Sequence, residues 1–188
     1  EVTGFFDIAI DSRGGVFGGT DEGIFRIDPE TAQVERICDS STRPLGMAFT
    51  PDDRLLVAGD RYITHMNLGN CQENDVVVDT PYFTSGDIVN LPDGFIYWTV
   101  EENDHEDGLV RIDPSDWSLS YVGLIPFSGL FGIGYADGQL FGFSRYGDTV
   151  AISPTAGPNG YVATTALRND EGFSWWGATT NPVAWGAE

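Results

Sequence analysis

Lysine is absent from this chain: its fixed positive charges are nine arginines, set against 29 acidic residues, for a formal charge of -20. Such a balance argues against binding to phosphate backbones or anionic lipid surfaces, because neither contact gains electrostatic energy. It favours solubility, cations and basic partners. Cysteine is nearly absent too, and two residues are too few for a disulfide framework. Of the two histidines, His65 falls inside a strand-like run, where a half-buried structural place is expected. His105 lies in an acidic stretch expected to be solvated, and neither has a neighbouring Ser or Cys in a recognisable nucleophilic arrangement. No apolar run is long enough to span a bilayer, and no segment carries useful helical periodicity.

What is plentiful is turn-forming and β-forming residues: 24 Gly, 10 Pro and 13% aromatics in 188 residues. That suits one all-β domain with many tight turns and a sizeable core. One unit recurs. A short A strand turns into a B strand at 6–10 and 16–20, at 46–50 and 55–58, at 86–91 and 95–100, and at 132–136 and 139–143. A fifth copy runs from Trp176 through Asn181-Pro182 to Trp185. Gly46, Gly86, Gly132 and Gly177 head successive copies at spacings of 40, 46 and 45 residues, the period of a four-stranded propeller blade. Four copies carry two further strands, C and D. The expectation is a single five-bladed β-propeller over 1–188, with blades near 5–38, 45–79, 85–123, 130–166 and 173–188 and an incomplete, two-stranded fifth blade.

The C strands agree as Phe25-Arg26-Ile27-Asp28-Pro29 and Val110-Arg111-Ile112-Asp113-Pro114, with Val150-Ala151-Ile152-Ser153-Pro154 as a looser copy. Together with the Gly-led A strand and the Pro-Asp-Gly or Asp-Gly turn, this resembles the loose repeats of bacterial extracytoplasmic propellers of the NHL, SMP-30 and YncE kind. The resemblance implies blade architecture with a ligand face. Members of the SMP-30 kind are metal-dependent lactone hydrolases of six blades, but their ligand motifs find no match here and no catalytic residue is carried over.

Closure poses a physical problem, since residues 1–4 are too few to supply both missing strands of a fifth blade. The fifth blade is two-stranded with Trp176 and Trp185 as bulk, or the chain is a fragment, or the edge at 183–188 pairs with another molecule in self-assembly. The cysteines add a second constraint. Cys38 ends a D strand on one face and Cys71 lies in a C–D turn on the other, a separation that predicts no bridge, because a disulfide needs Cα atoms near 6 Å. A bridge would mean that the strand assignment around one of them is wrong.

The two faces differ in character. A–B turns are terse, whereas D–A connections are longer and carry Tyr82, Phe83, Phe131, Phe173, Trp175 and Trp176. Such rings at the mouth of a central channel suit sugar faces, cations or a protein partner. On the same face, 101–108 holds five carboxylates in eight residues, among them Glu101, Asp104 and Asp107, oxygen ligands of the type calcium takes. Asp7 and Asp87 occupy equivalent A-strand positions and are candidates for a cation in the channel. No firm cofactor follows, calcium being the one candidate. The leading expectation is a non-catalytic, extracytoplasmic binding module for a protein or carbohydrate, with no nucleic acid and no membrane insertion. The alternatives are a structural subunit joined through the fifth blade and a metal-dependent hydrolase using channel carboxylates.

Overall fold

The computed structural model describes residues 2, 4–77, 80–170 and 172–180. Sixteen strands form four antiparallel sheets of four, each in simple meander order. Blade 1 is β1 (Asp7–Ile10), β2 (Val16–Thr20), β3 (Gly23–Ile27) and β4 (Val34–Cys38). Blade 2 is β5 (Gly46–Phe49), β6 (Leu55–Gly59), β7 (Tyr62–Asn67) and β8 (Gln72–Val77). Blade 3 is β9 (Thr84–Asn90), β10 (Ile96–Asn103), β11 (Glu106–Ile112) and β12 (Leu119–Ile125). Blade 4 is β13 (Leu130–Ala136), β14 (Gln139–Ser144), β15 (Asp148–Ala156) and β16 (Val162–Asn169).

The chain is therefore an all-β propeller of four blades, and the expected five-bladed arrangement is incorrect. Residues 173–180 form no strand, and 181–188, where the fifth blade's second strand and the self-pairing edge were expected, lie outside the described residues. The repeat signal at 176–180 nevertheless has a physical source. Inner strand β1 packs on β5, β5 on β9 and β9 on β13, and the segment 177–180 fills the space between β13 and β1. Around this ring, the glycine heading one copy meets the backbone of the next. A Cβ on Gly46 would lie 2.8 Å from Asp87 Cα, on Gly86 2.6 Å from Phe131 Cα, on Gly132 2.9 Å from Ala178 N, and on Gly177 3.0 Å from Asp7 Cα. The glycine period thus reports close approach of inner segments, a demand that 177 shares without joining a hydrogen-bonded ladder.

Gly86→Ala is expected to cost about 2 kcal/mol, because the added methyl meets backbone that cannot rotate away. Urea denaturation measures this, and an unchanged midpoint would contradict the tight inner ring.

Local chemistry explains the Arg-Ile-Asp-Pro runs as turn builders. After β3, β7 and β11, Asp28, Asn67 and Asp113 each use Oδ1 to accept the N–H two residues on. Four residues on, Ala32, Cys71 and Trp117 adopt positive φ (55°, 55° and 61°) and donate their amides to the carbonyls of Asp28, Asn67 and Asp113. Asx side chains favour such turns by substituting for a backbone acceptor.

Cys38 and Cys71 are bridged, with Cα atoms 5.4 Å apart, contrary to the expectation from sequence. β8 begins at Gln72, directly after Cys71. Strand twist of roughly 20–25° per neighbour also swings the outermost strand of a blade away from the channel axis. The end of β4 thereby reaches the C–D turn of blade 2. The same seam carries bonds from Ser40 and Ser41 to the Glu73 carboxylate.

The core is three clusters at the blade interfaces. Trp98, fully buried, anchors the one between blades 2 and 3 and donates Nε1–H to Thr84 Oγ1 at 3.0 Å. A second, around Ile125, Leu130, Ile133 and Val150, joins blades 3 and 4, and a third, around Ile24, Met47, Leu55 and Met66, joins blades 1 and 2.

Candidate functional site

The central channel is a closed, polar core. Asp7 and Asp87, at the equivalent inner positions of blades 1 and 3, are 2% and 0% exposed. Asp7 Oδ2 accepts the Met47 amide of blade 2 at 2.6 Å, and Asp87 Oδ2 accepts the Ile133 amide of blade 4 at 2.5 Å. Each acid thus ties its blade to the next. Asp87 Oδ1 accepts its neighbour Ile88 N–H, and the Ala178 amide also favours its ionised form. Asp7 Oδ1, by contrast, is buried with no hydrogen bond of normal geometry. Burial raises the Asp7 carboxyl well above its usual range, and the charge and side-chain contact of Asp87 raise it further, against the Ile8 and Met47 amides. Burial raises Asp87 as well, opposed by the Ile133 amide, the contact with Asp7 and the Ile88 and Ala178 amides. The contact between the two acids thus favours a proton on Asp7 over one on Asp87. Toward the far ends of the inner strands, a void lined by Ile10, Phe49, Asn90 and Thr180 measures only ≈ 20 Å³, about room for one water.

Wider clefts lie between the strands: two of ≈ 570 and ≈ 510 Å³ along the A–B and C–D turns of blades 1 and 2, and one of ≈ 420 Å³ between blades 3 and 4, on the face that carries the D–A connections and the acidic and aromatic candidates. Here the expected acidic loop is a tight hairpin. Glu101 pairs with Asp107 and Asn103 with Glu106, leaving Asp104-His105 as the tip. Because successive strand residues point to opposite faces, the carboxylates divide. Glu106 turns aside to accept from Tyr161 Oη and Asn103 Nδ2, which hold its carboxyl below the usual range. Asp107 turns inward, 2% exposed, and accepts the Leu130 amide at 2.8 Å. Burial pushes Asp107 up to about 6, against the opposing pull of the Leu130 amide, the nearby Ser85 hydroxyl and the Gly129 amide. Glu101, Asp104 and Asp107 do share the cleft, while Asp7 and Asp87 are sealed in the channel. Among the described residues, no three His, Cys, Asp or Glu side chains gather closely enough to hold a metal ion.

The aromatic candidates separate in the same way. Tyr82 is half-buried against the core of blades 2 and 3 and stacks on Tyr121 at 6.0 Å. Trp175 is half-buried against Phe143, and Phe173 stacks on it at 6.3 Å. Phe83, Phe173 and Trp176 are exposed. Phe131 sits between Trp176 and a guanidinium, and it alone of the six lines the cleft.

The arginines of this face were missed from sequence. Arg43 covers Phe6 at 4.4 Å, Arg61 covers Phe83 at 4.0 Å, and Arg145 lies over Phe131 at 5.5 Å and Tyr146 at 4.8 Å. These cation–π contacts roof the rings that sequence placed bare at a channel mouth. A signal existed: all three arginines fall in D–A or B–C connections, the same face as the rings.

Neither a protein-family model nor a curated protein sequence matches this chain. Solved structures do. A gluconolactonase from Xanthomonas campestris superposes with a TM-score of 0.67 at 15% identity, over 94% of this chain and 66% of that one. An extracellular domain from B. thetaiotaomicron gives 0.56 at 10% identity, over 94% and 25%. PorZ, a surface component of the type-IX secretion system of Porphyromonas gingivalis, gives 0.53 at 15% identity, over 87% and 28%. The fold is that of the β-propellers. At these identities the likeness establishes architecture alone, and the chain spans less than two thirds of the length of each of these three neighbours.

Proposed function

We propose that this chain is a non-catalytic, extracytoplasmic binding module that receives a protein or carbohydrate partner on its D–A face, in the cleft between blades 3 and 4. The observation that carries this reading is the convergence there of Glu101, Glu102 and Asp107 from blade 3 with Phe131, Arg145 and Tyr146 at blade 4. A concave site with a few convergent charged groups and exposed rings is what ligand recognition requires. Three things support an extracytoplasmic setting: the Cys38–Cys71 bridge, since disulfides persist in oxidising compartments, the extracellular domain and the surface component among the structural neighbours, and the acidic, lysine-free composition. A hydrolase using Asp7 and Asp87 finds less support, despite the gluconolactonase neighbour, because both carboxyls are out of solvent and engaged with amides.

The test is an array of immobilised peptides and oligosaccharides probed with the protein and with a Glu101→Gln/Tyr146→Ala variant. Binding lost at least tenfold in the variant, with thermal stability unchanged, is the expected result. Retention of binding by the variant, or an array with no binder at all, overturns the assignment.

A further inference from the structure

The cleft between blades 3 and 4 has walls of opposite charge. Blade 3 supplies Glu101, Glu102 and Asp107, and blade 4 supplies Arg145. Arg145, like Arg26, Arg61 and Arg111, makes no ion pair among the described residues, although carboxylates line the same cleft.

Its position is fixed by other means. The Arg145 amide donates to Gly129 O, its stem packs on Gly129, where a Cβ would lie 3.1 Å from Cγ, and its guanidinium donates to Tyr146 Oη. Held on the faces of Phe131 and Tyr146, the guanidinium is kept on its own side of the cleft. Its planar fork of N–H donors is suited to a carboxylate.

On the opposite wall Ser85, 6% exposed, lines the cleft with a buried Oγ that finds no partner at normal hydrogen-bond geometry and lies beside Asp107, whose carboxyl it favours in the ionised form. Together with Glu101, cross-strand from Asp107, it provides acceptors for an ammonium group.

We propose that this cleft binds a small zwitterion of the α-amino-acid type, its carboxylate on Arg145 and its ammonium on Glu101, Asp107 and Ser85. A ligand with both charges bridges two walls that do not reach each other, whereas a simple amine leaves Arg145 unpaired and a simple acid meets three carboxylates. The cleft volume of ≈ 420 Å³ lies within the range of small-molecule sites. The inference rests on the binding reading above for the place of recognition and departs from it in the ligand, a small molecule in place of a protein or carbohydrate.

The experiment is a thermal-shift screen of the intact protein against the twenty common L-amino acids at millimolar concentration, followed by calorimetric titration of the best one. Its amide, which lacks the carboxylate, and its N-acetyl form, which lacks the ammonium, are titrated in parallel. Saturable binding that weakens at least tenfold in both derivatives is expected. Arg145→Gln is expected to weaken the parent amino acid at least tenfold while changing the affinity of the amide by less than twofold, and Ser85→Ala to weaken the parent severalfold. No saturable binding by any amino acid, or equal binding of parent and derivatives, overturns the zwitterion assignment. If the peptide and oligosaccharide array still loses binding in the Glu101→Gln/Tyr146→Ala variant, the docking face stands and the ligand class alone falls.

Discussion

Asp87→Asn is expected to destabilise the protein by about 3 kcal/mol or more, while Asp7→Asn changes stability by less than about 1 kcal/mol, although the two acids occupy equivalent positions. The asymmetry follows from donors. Both oxygens of Asp87 accept buried amides, Oδ2 from Ile133 and Oδ1 from Ile88. An asparagine there must turn its NH2 toward one of them in either rotamer, leaving two buried donors face to face. In Asp7, Oδ2 holds the Met47 amide and Oδ1 has no donor. Asparagine keeps the first contact and places its NH2 at the Oδ1 position, which accepts no hydrogen bond. Chemical denaturation at pH 6 separates the two variants. Equal costs would show that the proton is not lodged on Asp7.

The same pair sets a pH dependence. Folding raises the Asp7 carboxyl through burial and the charge of Asp87. The folded state therefore holds its proton more tightly than the unfolded chain, and stability is lost as pH rises from about 4 toward the folded pKa. Asp107, raised by burial to about 6, acts in the same direction between about pH 4 and 6. His65 acts in the opposite direction, because burial lowers its pKa. Its contribution is full above about pH 6.5 and is lost as pH falls through the folded value. The difference between wild type and Asp7→Asn isolates the channel pair. Wild type should lose ground to the variant as pH rises from about 4 toward the folded pKa of Asp7, and a gap independent of pH would contradict the assignment.

Removing the disulfide is the second large effect. Cys38 and Cys71 are 33 residues apart, so opening that loop releases about 3.5–4 kcal/mol of chain entropy in the unfolded state. The Cys38→Ala/Cys71→Ala variant should fall by that amount in urea denaturation, and reduction of wild type should reproduce most of the loss. An unchanged midpoint on reduction, with free thiols demonstrated, would remove the bridge from any stabilising role. The site also matters architecturally, since the bridge ties β4 of blade 1 to the C–D turn of blade 2.

Much of the fold was legible because strands and turns are encoded locally. Asp28 and Asp113 announce the same turn in two blades, and the recurring A and B strands fall within a few residues of the inner hairpins of all four blades. The count of blades was not legible. Gly177 satisfies the same close-approach requirement as Gly46, Gly86 and Gly132, so it carries the repeat signature without strand pairing. The cysteine pairing failed for a related reason: whether two positions meet depends on twist accumulated over four strands and on where β8 begins, and neither is fixed by spacing.

The candidate site divides along the same line. Sequence placed acids and rings on one face, and Glu101, Asp107 and Phe131 do share a cleft there. It could not show that pleating sends Glu106 one way and Asp107 the other, or that arginines cover Phe6, Phe83 and Phe131.

By itself the sequence determined the all-β class, the four-stranded unit and many of the turns, because propensity and periodicity are properties of short segments. Tertiary structure alone decided the number of blades, the disulfide, the burial of the two equivalent aspartates in the channel, and the cleft between blades 3 and 4. Each of those depends on distances between segments far apart in the chain, which only packing sets.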